Sequence, residues 1–284
     1  MNQSISTGFA KLDTLLPITP GFHLIGARPH TGVTSILLQM AYHIAKTDTP
    51  VIFIDLIHSS KELCARLISQ RLNLSPSAKQ RFTPTEIMEG AVLKSTIVNQ
   101  IRQLVQEKKM LMLLHPSKPI SCQQLAKLLD EYSTKCEKTP VIMINPLNAL
   151  IDTDEQEPLT KALLSVSGWQ MLHQHIPVIT RCYIKETFQR HINVSAFGFN
   201  FDIADAANSI TGIQLQTLCT KEFYGTRDEE GDLHAVPLRK QLQIAQNATN
   251  AKTRHLRAET IKGPHPGAIV DLDYDTTYLS VTEP

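Results

Sequence analysis

Apolar residues fall along this chain in two alternating rhythms. Short runs that are apolar on consecutive positions predict strands covered on both faces: "FHLIGA" (22–27), "PVIFIDL" (50–56), "KMLMLL" (109–114), "PVIMIN" (140–145), "IPVITRC" (176–182) and "SITGIQLQ" (209–216). Between them, apolar residues three and four apart predict amphipathic helices at 36–45, 60–72, 87–107, 121–135 and 159–175. Ser59 or Ser60, with Glu62 close behind, is placed to cap the second helix. Strand and helix in alternation imply an α/β fold with a mostly parallel central sheet flanked by helices on both faces. A polar stretch at 246–255 is expected to be solvated. Two closing strands, 255–261 and 267–274, meet at "KGPHPG", whose glycines and prolines suit a tight turn, and form a C-terminal β-hairpin.

Composition narrows the picture without redirecting it. The 284 residues, 42% of them hydrophobic, suffice for one large α/β domain. The 28 basic and 27 acidic side chains nearly cancel, so no whole-molecule field favours nucleic acid. Cys64, Cys122, Cys136, Cys182 and Cys219 stand singly in apolar or helical surroundings and read as reduced core residues. There is no signal-peptide pattern and no apolar run long enough to span a bilayer, so the expectation is a soluble, cytoplasmic protein.

Chemistry enters at "GARPHTGVTS", residues 26–35. A strand, a glycine turn and a hydroxyl opening a helix form the arrangement in which backbone N–H groups hold a phosphate. Arg28, Thr31, Gly32, Thr34 and Ser35 are the candidate anion-binding residues. Val33, however, stands where a P-loop carries lysine. The histidines show no ligand grouping, and His173 and His175 read as ordinary surface residues. The "DTDEQE" loop at 152–157 would repel phosphate, and Lys94, Arg102, Lys108 and Lys109 read as a solvated helix face.

Several segments in order, "STGFAKLDTLLP", "PGFHLIGARPHTGVTS", "PVIFIDLIHSSKELCAR", "LLHPSKPISCQQLAKLLDEY", "PVIMINPLNAL", "IPVITRCYIKETFQR" and "KGPHPGAIVDLDYDTTYLSV", resemble the motor domain of the replicative helicase DnaB family. The resemblance implies a RecA-like P-loop NTPase fold. It is read as one DnaB-like unit over 1–284 without the family's N-terminal helical collar. It also implies roles that this chain has changed. Val33 falls at the P-loop lysine, Ile57 at the catalytic glutamate, Asn145 at the Walker B aspartate, Tyr183 at the sensor glutamine and Glu186 at a basic residue after it. Glu259 and Ile261 fall at the cations that act in trans. In the DNA-facing run "AFGFNFDIADAAN", Gly198 falls at an arginine, and Phe197, Phe199 and Phe201 replace polar positions, either to stack on bases, to fill a partner's groove or to face the core.

The resemblance thus implies a catalytically degenerate DnaB-like protein: a non-hydrolysing accessory factor in replication or recombination. Its expected partner is a protein, such as a replicative helicase or another replication component. DNA is a weaker expectation. Weak ATP or ADP binding stays open, and magnesium is not favoured. Two alternatives stand beside it. One is an active or weakly active helicase motor whose missing cation comes from Lys46, Lys61 or a neighbouring subunit. The other is a recombination or signalling ATPase of the wider RecA-like group.

Overall fold

The apolar runs do become strands, and their alternation decides what each one faces. The computed structural model describes residues 4–29, 31–90, 96–107, 109–150, 158–184, 201–216, 225–227 and 233–284. In chain order, α1 (Ala10–Leu15), β1 (Gly21–Ala27), α2 (Val33–Lys46), β2 (Val51–Asp55) and α3 (Ser60–Leu74) lead to two short helices, α4 (Pro84–Met88) and α5 (Thr96–Arg102). Then come β3 (Leu111–Leu114), α6 (Cys122–Ser133), β4 (Val141–Asn145), α7 (Pro158–Leu172), β5 (Pro177–Tyr183), α8 (Phe201–Ala206) and β6 (Ser209–Leu215). The chain closes with β7 (Gly225–Arg227), β8 (Leu233–Ala235), α9 (Leu238–Asn250), β9 (Thr253–Lys262), β10 (Ile269–Asp275) and β11 (Ser280–Thr282).

Among the described residues, nine strands form one sheet in the order β11-β10-β9-β6-β1-β5-β4-β2-β3. From β6 to β3 neighbouring strands run parallel, and β9, β10 and β11 extend the sheet antiparallel. Side chains alternate across it with period two. Val51 and Phe53 of β2, Val141 and Met143 of β4, and Ile179 of β5 join Ile36, Leu37 and Met40 of α2 in one core. Ile52, Ile54, Ile142, Ile144 and Val178 join Leu125, Leu163 and Trp169 of α6 and α7 in the other. This is the α/β arrangement expected of the sequence, with the hairpin in place.

Two local outcomes, a broken helix and a half-buried histidine, depart from expectation. The helix expected over 87–107 is broken: Pro84–Met88 is closed by a Thr83/Glu86 capping box at its start, and Gly90 at φ +100 leaves the helical region soon after its end. The chain becomes helical again at Thr96 and continues as a π-helical turn to 107. The stretch expected to be solvated, 246–255, has no buried residue and is mostly exposed, and it forms the end of α9 and the start of β9. Ile244, Ala245 and Ala248 give that helix an apolar stripe against the α2 core, which small alanines concealed in the sequence. His173, read as an ordinary surface residue, is partly buried and stacked on Trp169 at 4.0 Å between centroids. Ser59 is the α3 cap, its side chain accepting from the Glu62 N–H.

The C-terminal strands are fastened to α2 and α3 by side-chain amides. Gln39 donates to the Val281 carbonyl (2.9 Å) and accepts from its N–H (3.2 Å), while Gln70 donates to the Leu279 carbonyl at 2.6 Å. These bonds satisfy main-chain groups at the sheet margin and fix the hairpin over the start of α2.

His23, in β1, bonds through its ring nitrogens to Ser209 Oγ and to the Thr19 carbonyl, each at 2.8 Å. Burial lowers its pKa below the usual histidine value, although the bond to Thr19 opposes this. A base depressed in the fold takes its proton more readily when unfolded, so stability should fall as pH drops below about 6.5. Thermal denaturation between pH 7.5 and 5.5 is expected to show that fall, and His23→Gln to flatten it.

Candidate functional site

Three adjacent strands bring one polar residue each to the same end of the same face. Odd-numbered residues of β2, β4 and β5 face α2, so at the carboxyl ends of these strands Asp55, Asn145 and Arg181 stand side by side. Asp55 pairs with Asn145 in the β2–β4 register. The β4–β5 register, running from Ile142–Val178 to Ile144–Thr180, leads on to Asn145 and Arg181. The first turn of α2 closes the group with Thr34. Ligand sites of open parallel sheets lie just here, outside the carboxyl ends of the strands.

The four side chains form a single network. Asn145 Nδ2 donates to Asp55 Oδ2 at 2.6 Å and to Thr34 Oγ1 at 3.2 Å. Because an ionised carboxylate only accepts, that bond fixes which way the Asn145 amide points. Its Oδ1 therefore turns to Arg181, whose guanidinium donates to it at 3.2 Å and to Thr34 Oγ1 at 3.1 Å. Asn145 is thus a neutral link between a buried anion and a buried cation. An aspartate in its place would set two carboxylates against each other.

Both charges are well held. Asp55 is fully buried, and Oδ1 accepts from the Ile57 and His58 N–H groups at 2.8 and 2.7 Å, with His58 Nδ1 at 3.1 Å. Burial alone would raise its pKa, but the side-chain and main-chain bonds from His58 and the Ile57 N–H outweigh that, and the carboxyl lies below its ordinary value. Arg181 is 4% exposed and stacks over the Tyr183 ring at 4.5 Å. Burial lowers its pKa, and the nearby Tyr183 and Asp55 oppose the change; a guanidinium stays charged throughout.

Beside this network opens a cleft of about 490 Å³ at the N-terminus of α2. Gly32, Val33, Thr34, Ser35, Ile57 and Tyr183 line it, together with Arg66, Arg181 and Arg254, which the sequence reading passed over. Arg28 and Thr31 lie outside its lining, and Thr31 Oγ1 donates to the Arg28 carbonyl at 2.8 Å, bracing the loop from beneath. Val33 is buried in the α2 core. Ile57 is half exposed, and Tyr183 is partly buried with its N–H on Asn148 Oδ1. Glu259 and Ile261 sit on β9, away from the cleft lining, Glu259 opposite Ile269 and Ile261 against the α7-side core. Lys46, offered as a substitute cation, ends the 14-residue α2, about 20 Å along the helix from its first turn at 1.5 Å per residue. Lys61 is not among the residues lining the cleft.

The readings on Lys94, Lys108, "DTDEQE", Glu186, Phe197, Gly198, Phe199 and Cys219 lie outside the described residues. Phe201 opens α8 rather than a strand. Among the described residues no group of three or more metal-ligating side chains occurs, and no helix is long and apolar enough to cross a membrane.

A parallel sheet with antiparallel closing strands, a glycine-bearing loop leading into α2 and a polar row at the strand ends define a P-loop ATPase fold of the RecA-like kind. The chain matches the DnaB-like helicase C terminal domain over residues 4–182 and belongs to that family. Two solved structures share its fold. A DnaB-like replicative helicase, described with its interactions with primase, superposes with a TM-score of 0.68 at 15% identity over 98% of this chain and 63% of its own. The second, a structure described as an ATPase domain, gives a TM-score of 0.68 at 16% identity over 100% of this chain and 92% of its own. The chain thus spans 63% of the length of that replicative helicase. No curated protein matches it in sequence.

P-loop enzymes hold magnesium on the P-loop hydroxyl and a Walker B carboxylate. The residues present do not fit that ion. Thr34 Oγ1 already accepts from an amide and from a guanidinium, a cation that would repel a divalent one. Asn145 brings no charge, and both oxygens of Asp55 are engaged.

Proposed function

We propose that this DnaB-like ATPase domain, taken as one unit over 1–284, is a non-hydrolysing accessory factor in DNA replication or recombination that works by docking on a protein partner. The observation that carries this reading is the Arg181 guanidinium on Thr34, at the place where the fold's chemistry calls for a metal. Val33, Ile57 and Asn145 add to it, for each is uncharged where a lysine, a glutamate and an aspartate are expected. Loss of one preorganised transition-state stabiliser costs about 100- to 1000-fold in rate. Loss of a charge-assisted bond to phosphate costs about 1.5–3 kcal/mol in binding. These effects do not add strictly, but all of them act on a single reaction. A related helicase is described with a primase, which supports a replication protein as the kind of partner sought.

One observation favours a weakly active motor instead: Asp55 and Arg181 do bring a carboxylate and a cation to the strand ends. Yet Asp55 accepts from Ile57, His58 and Asn145, which leaves it poorly placed to take a proton from water. Phosphate release from ATP with magnesium, with and without single-stranded DNA, separates the two. The expected result is release no faster than in a blank. Turnover of about 1–10 s⁻¹ that collapses in Thr34→Ala would establish the motor.

A further inference from the structure

Two buried polar groups at the cleft are left without partners among the described residues. Ser35 Oγ is fully buried with no hydrogen-bond partner, and so is Arg181 Nε, on a side chain 4% exposed. Both residues line the cleft at the start of α2. An unmade bond at a buried polar atom is costly, so each calls for an acceptor. The described lining of the cleft carries the guanidinium groups of Arg66 and Arg254 and the Thr34 hydroxyl, beside His58, Tyr183, Tyr274 and Thr276, and it includes no carboxylate. Arg66 is held by Glu62 at 2.7 Å, and Arg254 lies over the Tyr274 ring at 5.8 Å, so both are positioned at the rim. Three guanidinium groups with no carboxylate among them favour an anion in the cleft.

We propose that Arg181 stands in for the divalent ion at this cleft, so that a polyphosphate there, the tail of a nucleoside triphosphate or an inorganic one, is held without metal. The inference shares with the proposed function the reading that no metal sits on Thr34. It differs in requiring a ligand, which a silent docking protein does not. Binding should be as tight in a chelator as in magnesium, or tighter, because magnesium lowers the charge of the phosphate tail and is itself repelled by the guanidinium.

The test is calorimetric titration of the full chain with ATP, ADP and tripolyphosphate, each in EDTA and in magnesium. ATP or tripolyphosphate should bind in EDTA, with magnesium leaving the affinity unchanged or weakening it. Arg181→Met should weaken binding by about 10- to 100-fold, the range for a lost bond to a charged group. Arg66 lies at the rim in a partly exposed ion pair, so Arg66→Met should fold normally and lose a few-fold in affinity; it keeps the test decisive if Arg181→Met does not fold. Equal affinity for ATP and tripolyphosphate would identify the phosphates as the recognised chemistry, and a preference for ATP would add the nucleoside. Binding that requires magnesium overturns the inference, as does no binding to any of the three. The second outcome would leave the absence of turnover standing; ATP hydrolysis in magnesium would instead overturn the proposed function.

Discussion

Asp55→Ala is expected to lower the unfolding free energy by about 3–5 kcal/mol, the scale for leaving a buried cation and several buried donors uncompensated. The variant strips acceptors from the Ile57 and His58 N–H groups, from the His58 ring and from Asn145 Nδ2. It also removes the carboxylate whose charge supports buried Arg181. Chemical denaturation of wild type and variant at pH 7 measures the difference. Acid provides a second check. The Asp55 carboxyl is depressed in the fold, so its contribution is fully present above the ordinary carboxylate pKa of about 4 and is lost as pH falls through the lower folded value. The gap between wild type and Asp55→Asn should therefore close at acid pH. A gap of under 1 kcal/mol at pH 7, or one that does not change with acid, would mean that the network contributes little to stability.

Gly32→Ala is the other substitution of large effect, for two separable reasons. Gly32 caps α2 at φ +76, a conformation costing an alanine about 1–2 kcal/mol. A Cβ there would lie 2.8 Å from the Tyr274 ring, and forcing atoms into a packed site costs about 1–3 kcal/mol more. The expected loss is about 2–5 kcal/mol in all. Repeating the substitution in a Tyr274→Ala background removes the clash and keeps the backbone strain. The cost of Gly32→Ala should then fall to about 1–2 kcal/mol. An unchanged cost would place the whole effect in the backbone.

Fold and site were legible in the sequence to different depths. Consecutive apolar positions at 50–56 and 140–145 marked buried parallel strands because both faces of the sheet are covered, and their shortness and richness in valine and isoleucine set them apart from buried helix. The break near Gly90 was harder to see, since the apolar spacing continues past a residue whose left-handed backbone ends the helix. The site was half legible. Motif order located the loop and Asn145, because their positions follow from the chain itself. Arg181 and Asp55 escaped because, although both lie in the quoted segments, no functional position of the resemblance falls on them, and only the register of three strands, a non-local property, sets them beside Thr34. One signal was available: Arg181 is the single charge in "IPVITRC", and its odd position puts it on the face of Ile179, toward α2.

The same register limits how this molecule can change over evolutionary time. An insertion or deletion of one residue within β5 ahead of position 181 would turn the guanidinium through the sheet onto the face shared by Trp169 and Cys182. There it would enter a largely apolar core, while Asn145 and Thr34 lost the bonds it donates. Length variation in this lineage should therefore gather in the loops and spare the inner strands, where a frameshift of pleat would amount to misplacing a charge.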